Sequence, residues 1–234
     1  MQMIEVRLEA DATAGPELSS FYLDRLGFEG RSGSDGTVEV AVGETNLRFA
    51  AGPPGAAPFY HFALLVPGDR FAAAHTWLRE RVTLLPDTET GETIFDFSNW
   101  DALACYCLDP AGNIVELIAH RGLGETGADA TFDAAELLGF SEMGVVGGDK
   151  TSIATTLAEQ LDLHVWDGTL RDPERLAFIG ERGRTLILCP TGRPWLPTDR
   201  PSEVWPVDML LRGARSAVAD LPDTPHRLAV RSPA

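Results

Sequence analysis

The sequence predicts an α+β protein assembled from a repeated unit of one strand, one helix and three strands. Two patterns, which recur in the same order along the chain, support this prediction. Apolar residues at every second position predict strands, and apolar residues spaced by three and four predict helices. One such unit leaves a sheet face and an outer strand uncovered. We therefore expect the units to pair into a curved mixed sheet, a cup, with the helices outside.

The length and composition of the chain are those of an ordinary globular protein. Its 234 residues suffice for one large domain or two small ones, and 44% of them are hydrophobic and 23% charged. The formal net charge is −16. Since no basic stripe could neutralise phosphates, we expect no nucleic-acid partner. An acidic surface is typical of a protein kept soluble by self-repulsion, or of one that attracts cations.

Nothing in the sequence points to a membrane or to an oxidising compartment. The N-terminus lacks the basic and apolar regions of a signal peptide, and no apolar run is long enough to span a bilayer. The three cysteines lie in apolar, strand-like runs without the spacing of a disulfide framework or a zinc site. We therefore expect a cytoplasmic protein with no membrane partner.

The first unit is predicted within residues 1–52. Its first strand is indicated by Ile4, Val6 and Leu8, which alternate with charged residues. A helix is predicted to begin near Pro16, and strands with alternating apolar residues follow it. A stretch rich in glycine and proline then ends the unit.

The second unit, residues 57–121, repeats that order. A strand over residues 59–66 precedes a helix with one apolar face, and a turn at residues 109–113 joins the last two strands. The sequence of this turn, Asp-Pro-Ala-Gly-Asn, contains the residues that a tight hairpin connection requires. We expect the units over 1–52 and 57–121 to pair, so that residues 1–121 form one cup.

The pattern resumes in the second half of the chain. Residues 122–136 are acidic and rich in glycine and alanine, and we expect them to form a linker. Residues 137–234 are predicted to contain a third unit and the first strand of a fourth, which the C-terminus cuts short.

His61 and Glu116 are the first candidate site residues. His61 stands near the start of one predicted strand, and Glu116 stands in the middle of another. Neutral imidazole and carboxylate groups are both ligands of divalent cations in proteins. Aligning the units gives the equivalent positions, which are Glu5 and Glu142 on first strands and Arg48 and Ile187 on fourth strands.

These residues resemble the vicinal oxygen chelate superfamily, which includes glyoxalase I, fosfomycin-resistance transferases, extradiol dioxygenases and metal-free bleomycin-resistance proteins. The resemblance covers the first two units well and the later units weakly. It rests on the repeated module, on Phe21-Tyr22 before Leu26-Gly27-Phe28, and on the strand over 61–66. Its most specific part is the segment Asp109-Pro110-Ala111-Gly112-Asn113-Ile114-Val115-Glu116.

The resemblance implies metal ligands on the first and fourth strands of paired modules. Carried over by position, the ligands of a divalent metal would be His61, Glu116 and Glu5. Fe2+ or Mn2+ would suit this anionic set better than Zn2+, the third candidate. Arg48 is permanently protonated and so is no ligand, but as a catalytic residue it could hold an anionic or enolate oxygen of the substrate. For Glu5 an alternative stays open, an inward salt bridge with Arg48 that needs no metal.

The later units carry weaker site residues. Their ligand positions hold Glu142, Ile187 and Pro206. One carboxylate beside an apolar residue and a proline makes a poor metal site. We interpret residues 137–234 as a degenerate, structural copy that covers a sheet edge or mediates a homodimer.

Two functions remain open from the sequence. One is a metal-dependent enzyme, with dioxygenase or lyase and isomerase chemistry on a small substrate that carries vicinal oxygens. The other is a metal-free protein that binds a small molecule, as the bleomycin-resistance proteins do. A salt bridge between Glu5 and Arg48 would favour the second function.

Overall fold

The structure, a computed structural model, describes residues 1–129, 131–172 and 174–232. It contains two mixed β-sheets and few helices, which confirms the predicted α+β class. The sheets are open rather than closed into barrels.

The first two modules follow the predicted order of elements. The first module consists of β1 (Gln2–Ala10), α1 (Gly15–Ser19) with a π-helical continuation (Ser20–Arg25), β2 (Gly30–Ser32), β3 (Val38–Val42) and β4 (Thr45–Ala51). The second consists of β5 (His61–Val66), α2 (Phe71–Arg79), β6 (Leu84–Leu85), β7 (Phe95–Phe97), a 3-10 turn (Ser98–Trp100), β8 (Ala102–Leu108) and β9 (Ile114–His120).

The later modules are more complete than the sequence predicts. After a 3-10 turn (Ala134–Glu136), the third module consists of β10 (Gly139–Gly147), α3 (Lys150–Leu161), β11 (Val165–Gly168), β12 (Ala177–Glu181) and β13 (Arg184–Pro190). The fourth supplies three strands rather than one, β14 (Val207–Arg212), β15 (Ala217–Asp220) and β16 (Arg227–Arg231). Within the described residues, no helix is long and apolar enough to cross a bilayer.

The two sheets combine modules that are distant in the sequence. Sheet A has the strand order β15-β16-β14-β1-β4-β3-β2 and so contains the first and fourth modules. Sheet B has the order β11-β12-β13-β10-β5-β9-β8-β6, with β7 also paired to β8, and contains the second and third modules. Antiparallel pairing of β1 with β14 joins the halves of sheet A, and antiparallel pairing of β5 with β10 joins the halves of sheet B.

This pairing corrects the expectation that residues 1–121 form one cup. The first module completes its sheet with β14, and the second completes its sheet with β10. The apolar pattern of a first strand indicates which of its faces is buried, but it does not specify the neighbouring strand. Residues 137–234 therefore contribute to both sheets, and the linker assignment of residues 122–136 stays a prediction.

The sheets differ in how their faces are covered. One apolar cluster joins a face of each sheet to all three helices, with Phe49 from sheet A and Phe62 from sheet B among its members. A second cluster, which includes Ala63 and Trp195, covers the opposite face of sheet B. Every residue of β5, β9 and β10 is consequently buried. The opposite face of sheet A carries charged, partly exposed side chains instead.

Asp109, in the turn between β8 and β9, connects the first module to the second. Its buried carboxylate accepts hydrogen bonds from the backbone N–H groups of Ala111 (2.9 Å) and Asn113 (3.0 Å). It also accepts from the Tyr22 hydroxyl and the Asn113 amide, each at 2.8 Å. Asn113 in turn accepts from the backbone N–H of Tyr60. The most specific part of the sequence resemblance is therefore, in this chain, a structural brace.

We expect Asp109→Asn to lower the free energy of unfolding by about 1–3 kcal/mol. The substitution replaces one of the two carboxylate oxygens, which accept hydrogen bonds, with an NH2 group, which can only donate them. Asp24→Asn, at an exposed site, is the matched control and should change little. Urea denaturation near neutral pH measures both. Equal effects of the two substitutions would contradict the role of Asp109 as a brace.

Candidate functional site

His61 and Glu116 lie on the same face of sheet B, as their places in the sequence predict. His61 is the first residue of β5, and Glu116 lies on β9, the parallel neighbour of β5. Their side chains point away from the main apolar cluster, to which the alternate residue Phe62 belongs. His61 Nε2 lies 3.0 Å from Glu116 Oε2, and the two residues are only 6% and 2% exposed.

Glu142, which was expected to lie in a degenerate copy without a metal site, completes this cluster from the third module. In the sheet register, Ala63 pairs with Glu116 on one side and with Glu142 on the other. The two carboxyl groups therefore flank β5 at the level of Ala63, and His61 lies two residues along the same face. Glu142 is buried, with 4% exposure. Its alignment with His61 was the signal that could have identified it.

Burial sets the charge state of the three residues. It lowers the pKa of His61 to about 4, against the opposing effect of the Glu142 charge. It raises the pKa of Glu116 well above the ordinary range, although a hydrogen bond from Tyr106 opposes the shift. The pKa of Glu142 is also raised, first by burial and then by the charge of Glu116. At neutral pH the imidazole is therefore neutral, and the carboxyl pair retains a proton that a cation could displace.

Each carboxyl group is met by a hydroxyl group from its neighbouring strand. Tyr106, the register partner of Glu116 on β8, donates a hydrogen bond to it. Thr185, the register partner of Glu142 on β13, donates to Glu142 Oε1 at 3.4 Å. These neighbours restrict the orientation of both carboxyl groups, as outer-shell partners do around metal ligands.

The Trp195 side chain covers the cluster of His61, Glu116 and Glu142. Its ring is 2% exposed and stands edge-on to His61, with 4.7 Å between the ring centroids. A Cβ atom on Gly144 of β10 would lie 3.0 Å from the indole, so glycine leaves the room that the ring occupies. A surface pocket of about 670 Å3 lies beside α1 and is not lined by any of these residues.

The segment that carries Trp195 is an internally hydrogen-bonded hairpin of residues 192–202. Gly192 N–H donates to the Ser202 carbonyl, and Trp195 N–H donates to the Arg200 carbonyl. Arg200 connects the hairpin to the segment just before β5, because its guanidinium lies 3.4 Å from the centroid of the Phe59 ring. Residues 192–202 thus form an ordered cover over the cluster.

Glu5 and Arg48 lie elsewhere, which corrects their expected places beside His61 and Glu116. Both belong to sheet A, because β1 and β4 are in that sheet. Glu5 Oε1 lies 3.7 Å from Arg7 Nε, and Arg48 Nη1 lies 3.8 Å from Glu39 Oε1. The alternative salt bridge between Glu5 and Arg48 is also absent from the described residues.

The donor types of the sheet B cluster fit a divalent metal, whereas their arrangement is incomplete. One neutral imidazole and two carboxyl groups are suitable ligands. The Nδ1 atom of His61 is buried without a hydrogen-bond partner in the described part of the chain. Among residues 1–129, 131–172 and 174–232, however, no three His, Cys, Asp or Glu side chains are spaced to hold one ion. A small movement of Glu142 or of the Trp195 cover would have to precede binding.

The fold is similar to those of solved structures of glyoxalase I and of a protein named "putative dioxygenase", which agrees with the fold that the sequence resemblance implies. Glyoxalase I from Zea mays is similar to this chain with a TM-score of 0.55 and 12% identity, over 98% of this chain and 91% of that one. A protein named "putative dioxygenase" from Bacillus subtilis subsp. subtilis str. 168 is similar with a TM-score of 0.53 and 12% identity, over 98% and 85% of the two chains. At these identities the similarity establishes the fold. No protein-family profile and no curated protein matches the sequence.

We expect Glu142→Gln to stabilise the chelator-treated protein at pH 9 by about 1 kcal/mol or more and to have little effect at pH 5. The folded protein raises the pKa of Glu142, so stability is lost as the pH rises through that pKa, and glutamine removes this loss. Urea denaturation at both pH values is the measurement, with exposed Glu159→Gln as the control. An effect of the same size at pH 5 and pH 9 would contradict the burial of an ionising Glu142.

Proposed function

We propose that the cluster on sheet B is a divalent-metal site of an enzyme, with His61, Glu116 and Glu142 as ligands. The observation that supports this proposal is the convergence of three buried donors around Ala63, with no Lys or Arg ion pair to either carboxyl group in the described residues. Buried carboxyl groups without a cation are unfavourable, and a bound metal would offset that cost. Glu142 thus takes the role that the sequence suggested for Glu5.

In this proposal the metal would supply a Lewis acid and a template for a small substrate with two neighbouring oxygens. His61 offers a neutral nitrogen because burial keeps its pKa low. Tyr106 and Thr185 hold the two carboxyl groups in place, and the Trp195 hairpin excludes water. Two carboxylates and one imidazole suit Fe2+ or Mn2+ better than Zn2+. The proposed reaction class is dioxygenase or lyase and isomerase chemistry.

A second candidate is a metal-free protein that binds a small molecule. Two observations favour it, the Trp195 ring against His61 and the incomplete spacing of the three donors. In this case the cluster would be a neutral, hydrogen-bonded part of the interior, and a chelator would not alter its stability. Metal binding separates the two candidates.

Titration of the chelator-treated protein with Mn2+ should reveal one site per chain by calorimetry. We expect His61→Ala and Glu142→Gln to weaken this binding by about tenfold or more, because each removes or neutralises a donor. Glu5→Gln is the matched control, since it makes the same change on sheet A, and it should bind Mn2+ like the unmodified protein. If the unmodified protein binds Mn2+ no more tightly than His61→Ala does, the proposed metal site is wrong.

The Trp195 cover predicts slow entry of metal. Trp195→Phe keeps an aromatic ring but shortens it, so we expect faster uptake of Co2+ in stopped-flow absorbance with little change in equilibrium affinity. Trp205→Phe alters a half-buried tryptophan outside the cover and should leave the rate unchanged. Equal uptake rates in both variants and the unmodified protein would show that Trp195 does not limit access.

A further inference from the structure

The open face of sheet A carries a continuous row of charged residues, one from each strand. Register pairs connect them across all seven strands. We call this the charge row, and in spatial order it consists of Arg31, Glu39, Arg48, Arg7, Asp208, Arg227 and Asp220. All seven side chains lie on the face opposite the main apolar cluster. Their neighbours in the chain point to the other face of the sheet, and most of these neighbours belong to that cluster.

Opposite charges alternate along the charge row except at its centre. Arg48 on β4 and Arg7 on β1 are direct register partners, and both carry a positive charge. Like charges directly opposite one another destabilise a pair of strands, whereas opposite charges stabilise it. The two arginines therefore interrupt an otherwise favourable pattern in the middle of the sheet.

The carboxylates nearest to these arginines form only long ion pairs with them, without hydrogen bonds. Glu39 makes its short contact with Arg31, at 2.7 Å, and lies 3.8 Å from Arg48. Arg7 lies 3.6 Å from Asp208 and 3.7 Å from Glu5. Neither arginine donates a side-chain hydrogen bond to another described residue, since these distances exceed hydrogen-bonding length.

Arg48 has a further unsatisfied donor. Its Nε atom is buried and has no hydrogen-bond partner in the described part of the chain. The side chain as a whole is 33% exposed, and that of Arg7 is 45% exposed, so both side chains are partly accessible to solutes. The remaining N–H groups of two neighbouring guanidinium groups are suited to a ligand with more than one acceptor oxygen.

We propose that Arg7 and Arg48 form a binding site for a small oxyanion, a carboxylate or phosphate group, on sheet A. Two planar guanidinium forks from adjacent strands can each donate two hydrogen bonds to such a group. The bound anion would also remove the repulsion between the two arginines. Glu5, Glu39 and Asp208 lie beside the two arginines, so a bound anion would compete with their long ion pairs. This site is separate from the cluster on sheet B and does not depend on its metal.

The test measures thermal stability of the chelator-treated protein with added sodium phosphate or sodium malonate, at ionic strength held constant with sodium chloride. We expect either or both anions to raise the melting temperature of the unmodified protein by mass action. Arg7→Gln and Arg48→Gln should abolish the rise, and calorimetry should show anion affinity reduced by about tenfold or more. The anion with the larger effect identifies the ligand group as phosphate or carboxylate.

Arg227→Gln is the matched control, because it removes an arginine of the same row that lies between two carboxylates. It should keep the full response to the anion, and so should His61→Ala, which disables only the proposed metal site. Without anion, Arg7→Gln should be at least as stable as the unmodified protein. No response in the unmodified protein, or an equal response in all three arginine variants, would overturn the proposal.

Discussion

The antiparallel pairing of β5 with β10 is the constraint on which the candidate site depends. It places Glu142 and Glu116 on opposite sides of Ala63, with His61 two residues along the same face. The corresponding pairing of β1 with β14 keeps Glu5 and Arg48 on sheet A. Side chains at equivalent positions of the four modules all face the same way. The pairing of the strands therefore decides which of these side chains lie close enough to act together.

The two sheets show how one module can produce two different surfaces. On sheet B the face that carries His61 is buried beneath apolar residues and Trp195, so its polar groups act in a dry environment where their charges interact strongly. On sheet A the equivalent face remains open, and charged residues in register occupy it. The closed face suits chemistry that requires exclusion of water, and the open face suits reversible binding of a charged solute.

The sequence alone predicted the first three modules, the fold class and the shared face of His61 and Glu116, because these depend on local periodicity. It also aligned Glu142 with His61. It did not predict that Glu142 rather than Glu5 would join His61, because a period of two fixes the face of a strand and leaves its partner unspecified. The cover by Trp195 was missed for a related reason, since the path of a proline-rich loop depends on distant contacts such as that of Arg200 with Phe59.

The central claim is that His61 shares its environment with Glu142 and not with Glu5. A double-mutant cycle on the free energy of unfolding, in chelator at neutral pH, tests it most directly. We expect a coupling energy of about 0.5 kcal/mol or more between His61→Ala and Glu142→Gln, and additive effects within about 0.3 kcal/mol for His61→Ala with Glu5→Gln. Coupling of His61 to Glu5 with none to Glu142 would contradict the module pairing and the site derived from it.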